Sequence, residues 1–190
     1  KTAGVKARQD VETIFKWNNL KKIEIPCLIE GRENKTRLGK IKAHYDVYML
    51  WKNALKKIKK NDWIYIQFPL LEHTMLFSLL IKNLEKRGIH TSIIIHDVEA
   101  IRFTLRNDVP LSRKIRMRFE EISSFKNCSK IIVHNEKMKS FMHEKWKIHK
   151  DKMDILGIFD YLVENYNEEL LEKRNLSRKG PVIIAGALSK

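Results

Sequence analysis

Apolar positions along this chain recur with two alternating periods. Ala7, Val11, Ile14 and Phe15 share one helical face, with Lys6, Arg8, Gln9 and Glu12 off it, so a helix opens near Gly4. Ile23 to Leu28 reads as a short strand, and the polar stretch Glu30 to Lys42, with Gly31 and Gly39, as a loop. Val47, Leu50, Trp51, Ala54, Leu55 and Ile58 return to helical spacing. Trp63 to Phe68 reads as a strand stopped by Pro69. Leu71, Met75, Leu76, Leu79, Leu80 and Leu84 then make a helix, with Gly88 as its left-handed stop.

Ile93, Ile94 and Ile95 form a continuous β-branched run, the pattern of a strand buried on both faces in a parallel sheet. A loop to Pro110 leads to a helix whose apolar face is Ile115, Phe119 and Ile122. Ile131 to Val133 is a second buried strand, and Asn135 caps a helix carrying Met138, Phe141 and Met142. Met153 to Leu156 is a further strand closed by Gly157, residues 161–179 read as a charged helix plus linker, and Pro181 to Gly186 as a last strand. Strand and helix alternate at βαβ spacing. The expected fold is therefore α/β, a Rossmann-like, doubly wound, mostly parallel sheet. The first helix has no strand before it and the last strand no helix after it. Both ends read as cut, which predicts a domain that lacks its first strand and belongs to a larger, two-domain protein.

Composition narrows the class less than the pattern does. At 190 residues with 43% apolar content the chain can bury a full core, and no apolar run reaches membrane-spanning length. Cys27 and Cys128 show no paired spacing, which fits two unpaired, buried thiols in a reducing, cytoplasmic setting. The net charge of +15 raises nucleic acid, anionic lipid and phosphorylated ligands as partners. Lys52, Lys56, Lys57, Lys59 and Lys60 lie opposite one apolar stripe, and Arg113, Lys114, Arg116 and Arg118 crowd a second helix. Two readings stand: solvated helix faces, or a footing on anionic lipid at the inner face of a membrane. Nucleic acid is disfavoured, because no reader motif is present and aromatics do not interleave with the basic residues. A homo-oligomer is compatible with the chain.

The chemistry concentrates at strand ends. Open parallel sheets bind ligands outside the carboxyl ends of their strands, and the Ile93–Ile95 strand ends in His96, Asp97, Glu99 and Arg102. The chain also resembles the N-terminal domain of GT-B glycosyltransferases of the bacterial galactofuranosyl- and glucosyltransferase type, which includes adhesin-glycosylating enzymes. The resemblance is carried by Ala3-Gly4-Val5-Lys6-Ala7 with Asp10, by His96-Asp97-Val98-Glu99-Ala100-Ile101-Arg102, and by Ile131-Ile132-Val133-His134-Asn135-Glu136-Lys137-Met138. It continues in Leu156-Gly157-Ile158-Phe159-Asp160-Tyr161 and in Ala185-Gly186-Ala187-Leu188-Ser189-Lys190, where Ala187 stands in place of the family's common Asn.

That resemblance implies a transferase moving a hexosyl unit from a nucleotide-sugar, a UDP-sugar foremost, to a glycan acceptor on a lipid or a glycoprotein. It implies an acceptor-side domain over residues 1–160, an interdomain segment over 161–180, and the start of the nucleotide-sugar domain over 181–190. The nucleotide-sugar is then a substrate, with no cofactor and no metal. His96 and Asp97 are the catalytic candidates: Asp97 or Glu99 as the base for the acceptor hydroxyl, His96 as a contact to the donor sugar. The plainer reading is a strand-end histidine and a capping aspartate that order the loop. Gly4, Lys6, Glu99 and Arg102 are candidates for acceptor binding, although Glu99 and Arg102 also suit a local ion pair. Gly186, Ser189 and Lys190 would open a donor-phosphate site. His134 and Asn135 end the neighbouring strand, with Asn135 read as a cap, and Phe159-Asp160-Tyr161 reads as an interdomain anchor. The competing class is a non-catalytic, basic Rossmann-like module that binds anionic membrane or nucleic acid.

Overall fold

The computed structural model describes residues 3–25, 36–104, 108–157 and 162, and the chain divides into two compact units, Lys1–Asp160 and Tyr161–Lys190. Four strands, β1 (Trp63–Phe68), β2 (His90–Ile95), β3 (Lys130–Val133) and β4 (Met153–Ile155), form one sheet in that spatial order, every pair parallel. The helices are α1 (Ala3–Trp17), α2 (Arg37–Ala54), α3 (Phe77–Lys86), the short α4 (Glu99–Arg102), α5 (Leu111–Arg116), α6 (Ser123–Asn127) and α7 (Glu136–Trp146). This is the expected Rossmann-like, parallel α/β arrangement.

Strand alternation sorts the sheet into two unlike faces. Ile66, Ile93, Ile131 and Met153 stand in register across one face and are all buried, as are Phe68 and Ile95 beside them. Phe77 of α3, Phe125 of α6 and Met142 and Trp146 of α7 close over this face, with Phe68 and Phe125 edge to face at 5.2 Å. The other face carries Tyr65, Gln67, Ser92, Ile94 and Ile132. Here α1 packs over β1, with Phe15 against Tyr65 at 5.2 Å between ring centres. Helices thus pack on both faces, the second only in part, and residues 91–95 of β2 are buried throughout.

Local signals hold where one residue decides the geometry. Gly88 has φ of +73°, a left-handed stop just past α3. Asn135 caps α7, its side-chain oxygen accepting from the Met138 amide at 2.9 Å. Cys128 is buried and free, and burial pushes its thiol up to about 12, so it stays protonated and inert.

Four expectations need correction. The loop read over Glu30 to Lys42 is helical from Arg37, because the Thr36 side chain accepts from the Gly39 amide at 3.2 Å and starts α2 early. Ile23–Ile25 carry no strand, and the rest of that predicted strand lies outside the described residues. The helix expected from Leu71 begins only at Phe77, since Thr74 donates its hydroxyl to the His44 carbonyl and accepts from the Leu76 amide, holding 69–76 irregular. Finally, α5 and α6 are joined by a π-helical stretch, Met117–Ile122. Its i→i+5 bonding widens the turn by about one residue and rotates the face. Met117, Glu120, Glu121 and Phe125 are therefore buried, while Ile115 and Phe119 are exposed. The predicted strand Pro181 to Gly186 and the segment 161–179 lie outside the described residues apart from Leu162.

Candidate functional site

At the carboxyl ends of β1 and β2, on the α1 side of the sheet, polar groups converge. The His96 amide donates to the Phe68 carbonyl at 2.8 Å, continuing the β1–β2 ladder one residue past the strand. That fixes the imidazole beside Gln67, the penultimate residue of β1. Gln67 donates its side-chain Nε2 to the Arg8 carbonyl at 3.4 Å, which turns its Oε1 toward His96 Nε2 at 2.8 Å. An amide oxygen only accepts, so Nε2 carries the imidazole proton and Nδ1 is left as the acceptor. Burial is the main cause that lowers the His96 pKa to about 4, with Arg8 and His134 adding repulsion. At neutral pH His96 is therefore an uncharged hydrogen-bonding group.

The first two turns of α1 wall this corner. Arg8 reaches the Pro69 carbonyl, and burial lowers its pKa from the ordinary arginine value, with Glu12 opposing. Gly4 lies in the opening turn of α1. Lys6 pairs with Asp10 one turn on at 2.6 Å, and Asp10 is only 3% exposed. Lys6 is thus a cation held against a buried carboxylate on the wall of the corner.

The loop after β2 carries a second group. Asp97 pairs with Arg102, and both side chains are well exposed. Glu99 instead binds two arginines of α5, Arg113 through Oε1 and Arg116 through Oε2. The local pair expected between Glu99 and Arg102 is therefore replaced, because α5 brings two guanidinium groups to Glu99 and leaves Arg102 to Asp97. Behind this pair lies the π-helical stretch. Glu120 is fully buried, with Oε1 2.5 Å from His73 Nδ1 and 3.5 Å from Arg116. Glu121 accepts from the Ala100 amide at 2.8 Å, holding the first turn of α4, and burial raises its pKa.

The structure therefore brings His96, Gln67 and Arg8 into one corner and sets Asp97 in the loop that follows. It binds Glu99 to a different element than expected. Gly186, Ser189, Lys190 and Phe159-Asp160-Tyr161 lie outside the described residues. Sequence reading missed Gln67, Arg8, His73, Glu120 and Glu121. Gln67 had a signal, a polar residue inside an otherwise apolar and aromatic strand. The two glutamates had none, since adjacent acids on a helix normally mark a solvated face. Among the described residues no three His, Cys, Asp or Glu side chains are grouped to hold a metal ion, and no helix is long and apolar enough to cross a membrane.

No curated protein matches the chain. Its α/β sheet, its strand-end corner and its ordered motifs nonetheless have a common setting. Residues 1–180 match the glucosyltransferase 3-like N-terminal domain, and the chain belongs to that family.

Proposed function

We propose that this chain is the acceptor-side domain of a GT-B sugar transferase, which moves a hexosyl unit from a UDP-sugar to a glycan acceptor. The observation that supports the reading is the corner where His96, Gln67 and Arg8 meet at the ends of parallel strands, with Asp97 next in sequence, in a glucosyltransferase-like domain. In the reaction an acceptor hydroxyl oxygen bonds to the anomeric carbon while the bond from that carbon to the diphosphate breaks. The diphosphate leaves with the electron pair, and the hydroxyl proton passes to a base. Asp97 is the better-placed base. It pairs with an exposed arginine, whereas both oxygens of Glu99 are engaged. Neutral His96 offers Nδ1 to a sugar hydroxyl, oriented by Gln67. The opening of α1 with Gly4 and Lys6, and the loop to Arg102, line the acceptor side. The donor phosphates fall to Gly186, Ser189 and Lys190 and to a second Rossmann-like unit. The nucleotide-sugar is a substrate, and the reading needs no resident cofactor.

The test is transfer from UDP-hexoses by the full-length protein. Asp97→Asn should lower kcat about a hundredfold or more with the sugar-nucleotide KM little changed, and Glu99→Gln should cost less. His96→Ala should also lose most turnover while keeping its thermal midpoint. A folded double variant at His96 and Asp97 with wild-type turnover sinks the assignment. Absence of transfer or of donor-induced thermal stabilisation with every UDP-hexose sinks the reaction class.

A further inference from the structure

Two basic clusters stand out in the sequence, and the fold treats them differently. On α5, Arg113 and Arg116 are drawn onto Glu99, and Arg113 also lies over the Phe103 ring at 4.7 Å. The two arginines are thus engaged within the fold, while Lys114 and Arg118 of that cluster are exposed. On α2, the turns after it and α3, Lys42, Lys52, Lys56, Lys57, Lys82 and Lys86 are all exposed. The acids of this stretch do not offset them. Residues 36–90 hold four acids, Asp46, Asp62, Glu72 and Glu85, against eleven lysines and arginines.

The same face carries apolar groups that the core does not use. Ala43 and Val47 fill the buried side of α2, yet Leu38, Ile41 and Tyr45 on its outer side are 79%, 66% and 54% exposed. They stand at i, i+3 and i+7, one stripe, and the stripe runs on through Tyr48 to Lys52. There it meets a groove of about 360 Å³ between α2 and α3, with a floor of Leu55, Leu80 and Leu84 and a rim of Lys52, Lys86 and Arg87. An exposed apolar stripe inside a lysine field marks an interaction surface.

We propose that this face docks on an anionic phospholipid bilayer, with α2 lying in the plane of the interface. Leu38, Ile41 and Tyr45 sit at the level of the headgroups and upper acyl chains, and the lysines of α2 and α3 meet the lipid phosphates. Charge complementarity selects this occupant. A second copy of the chain would bring like charges together, and a nucleic acid would give Leu38 and Ile41 nothing apolar to enter.

The test is co-sedimentation of the full-length protein with phosphatidylcholine vesicles, with and without phosphatidylglycerol. Binding should require phosphatidylglycerol and weaken with salt. Leu38→Ser with Ile41→Ser, and separately Lys52→Glu with Lys86→Glu, should each weaken partitioning about tenfold or more with unchanged circular dichroism. These positions are exposed, and the two pairs alter different forces, so a folding defect in one leaves the other to decide. The proposal is overturned if phosphatidylglycerol vesicles are ignored, or if both variants bind like the parent. It is also overturned if Leu38→Ser with Ile41→Ser changes only the oligomeric state seen by light scattering, or if the basic face retains an oligonucleotide but no vesicle.

Discussion

His96 shows how far a single side chain can be read in advance. Its place at a strand end is written in the run of isoleucines before it. Its protonation state is not, because that depends on Gln67 and Arg8, which register and helix packing bring to it from 29 and 88 positions away. The consequence is measurable. Between the ordinary imidazole value of 6.5 and about 4, the unfolded chain binds a proton that folded His96 refuses. Stability should therefore fall as pH drops through that window, and His96→Gln should flatten the decline. Thermal midpoints measured from pH 7 to pH 4 decide it, and parallel curves for the two proteins would contradict the assignment. Glu121 carries the opposite sign. Its folded pKa is raised, so its contribution is greatest at acid pH and is lost as pH rises through the folded value. Glu121→Gln keeps an acceptor for the Ala100 amide and removes the buried charge. It should raise the urea midpoint at neutral pH, with the gain shrinking under acid.

Secondary-structure elements divide into those fixed by one local choice and those fixed by their surroundings. The stop at Gly88 and the cap at Asn135 belong to the first kind, which is why they could be placed from sequence. Gly88→Ala should lower stability by about 1–2 kcal/mol, since an L side chain at φ of +73° is strained and its Cβ would lie 2.8 Å from Lys60 Cγ. A denaturation midpoint equal to the parent's would show that the turn relaxes. Glu85, at the end of the same helix, ties α3 to β2 and to the residue just before β3: it accepts from the amides and hydroxyls of both Thr91 and Ser129. No periodicity reveals such a staple. The late start of α3 and the early start of α2 are of the second kind. Thr74 bonds back to α2, and Thr36 reads as ordinary loop polarity until Gly39 is seen to bond to it.

At the scale of the molecule, the parallel pairing of β1 to β4 follows from the alternation of strand and helix, whereas the family setting rests on the match over residues 1–180. What pattern alone could not give is the inequality of the two faces. One is sealed by α3, α6 and α7, and the other is only partly covered, with Trp63 and Tyr65 still 48% and 41% exposed. Opening should therefore be uneven. Amide exchange is expected to be slowest in β2, buried from 91 to 95, and markedly faster in α1, whose contacts with β1 include Phe15 against Tyr65 and the bond from Gln67 to the Arg8 carbonyl. Equal protection in α1 and β2 would show that α1 is part of the same cooperative unit.

The π-helical stretch between α5 and α6 links these scales. It is a phase step: the segment before it and the segment after it are cut from one helix but turned relative to each other by about one residue. The step lets Arg113 and Arg116 meet Glu99 while Phe125 still reaches the core. A chain shortened by one residue there would regain an unbroken α-helix and lose one of those two meetings. The odd residue is thus a spacer between stability and loop placement, so this stretch should tolerate substitution more readily than a change of length.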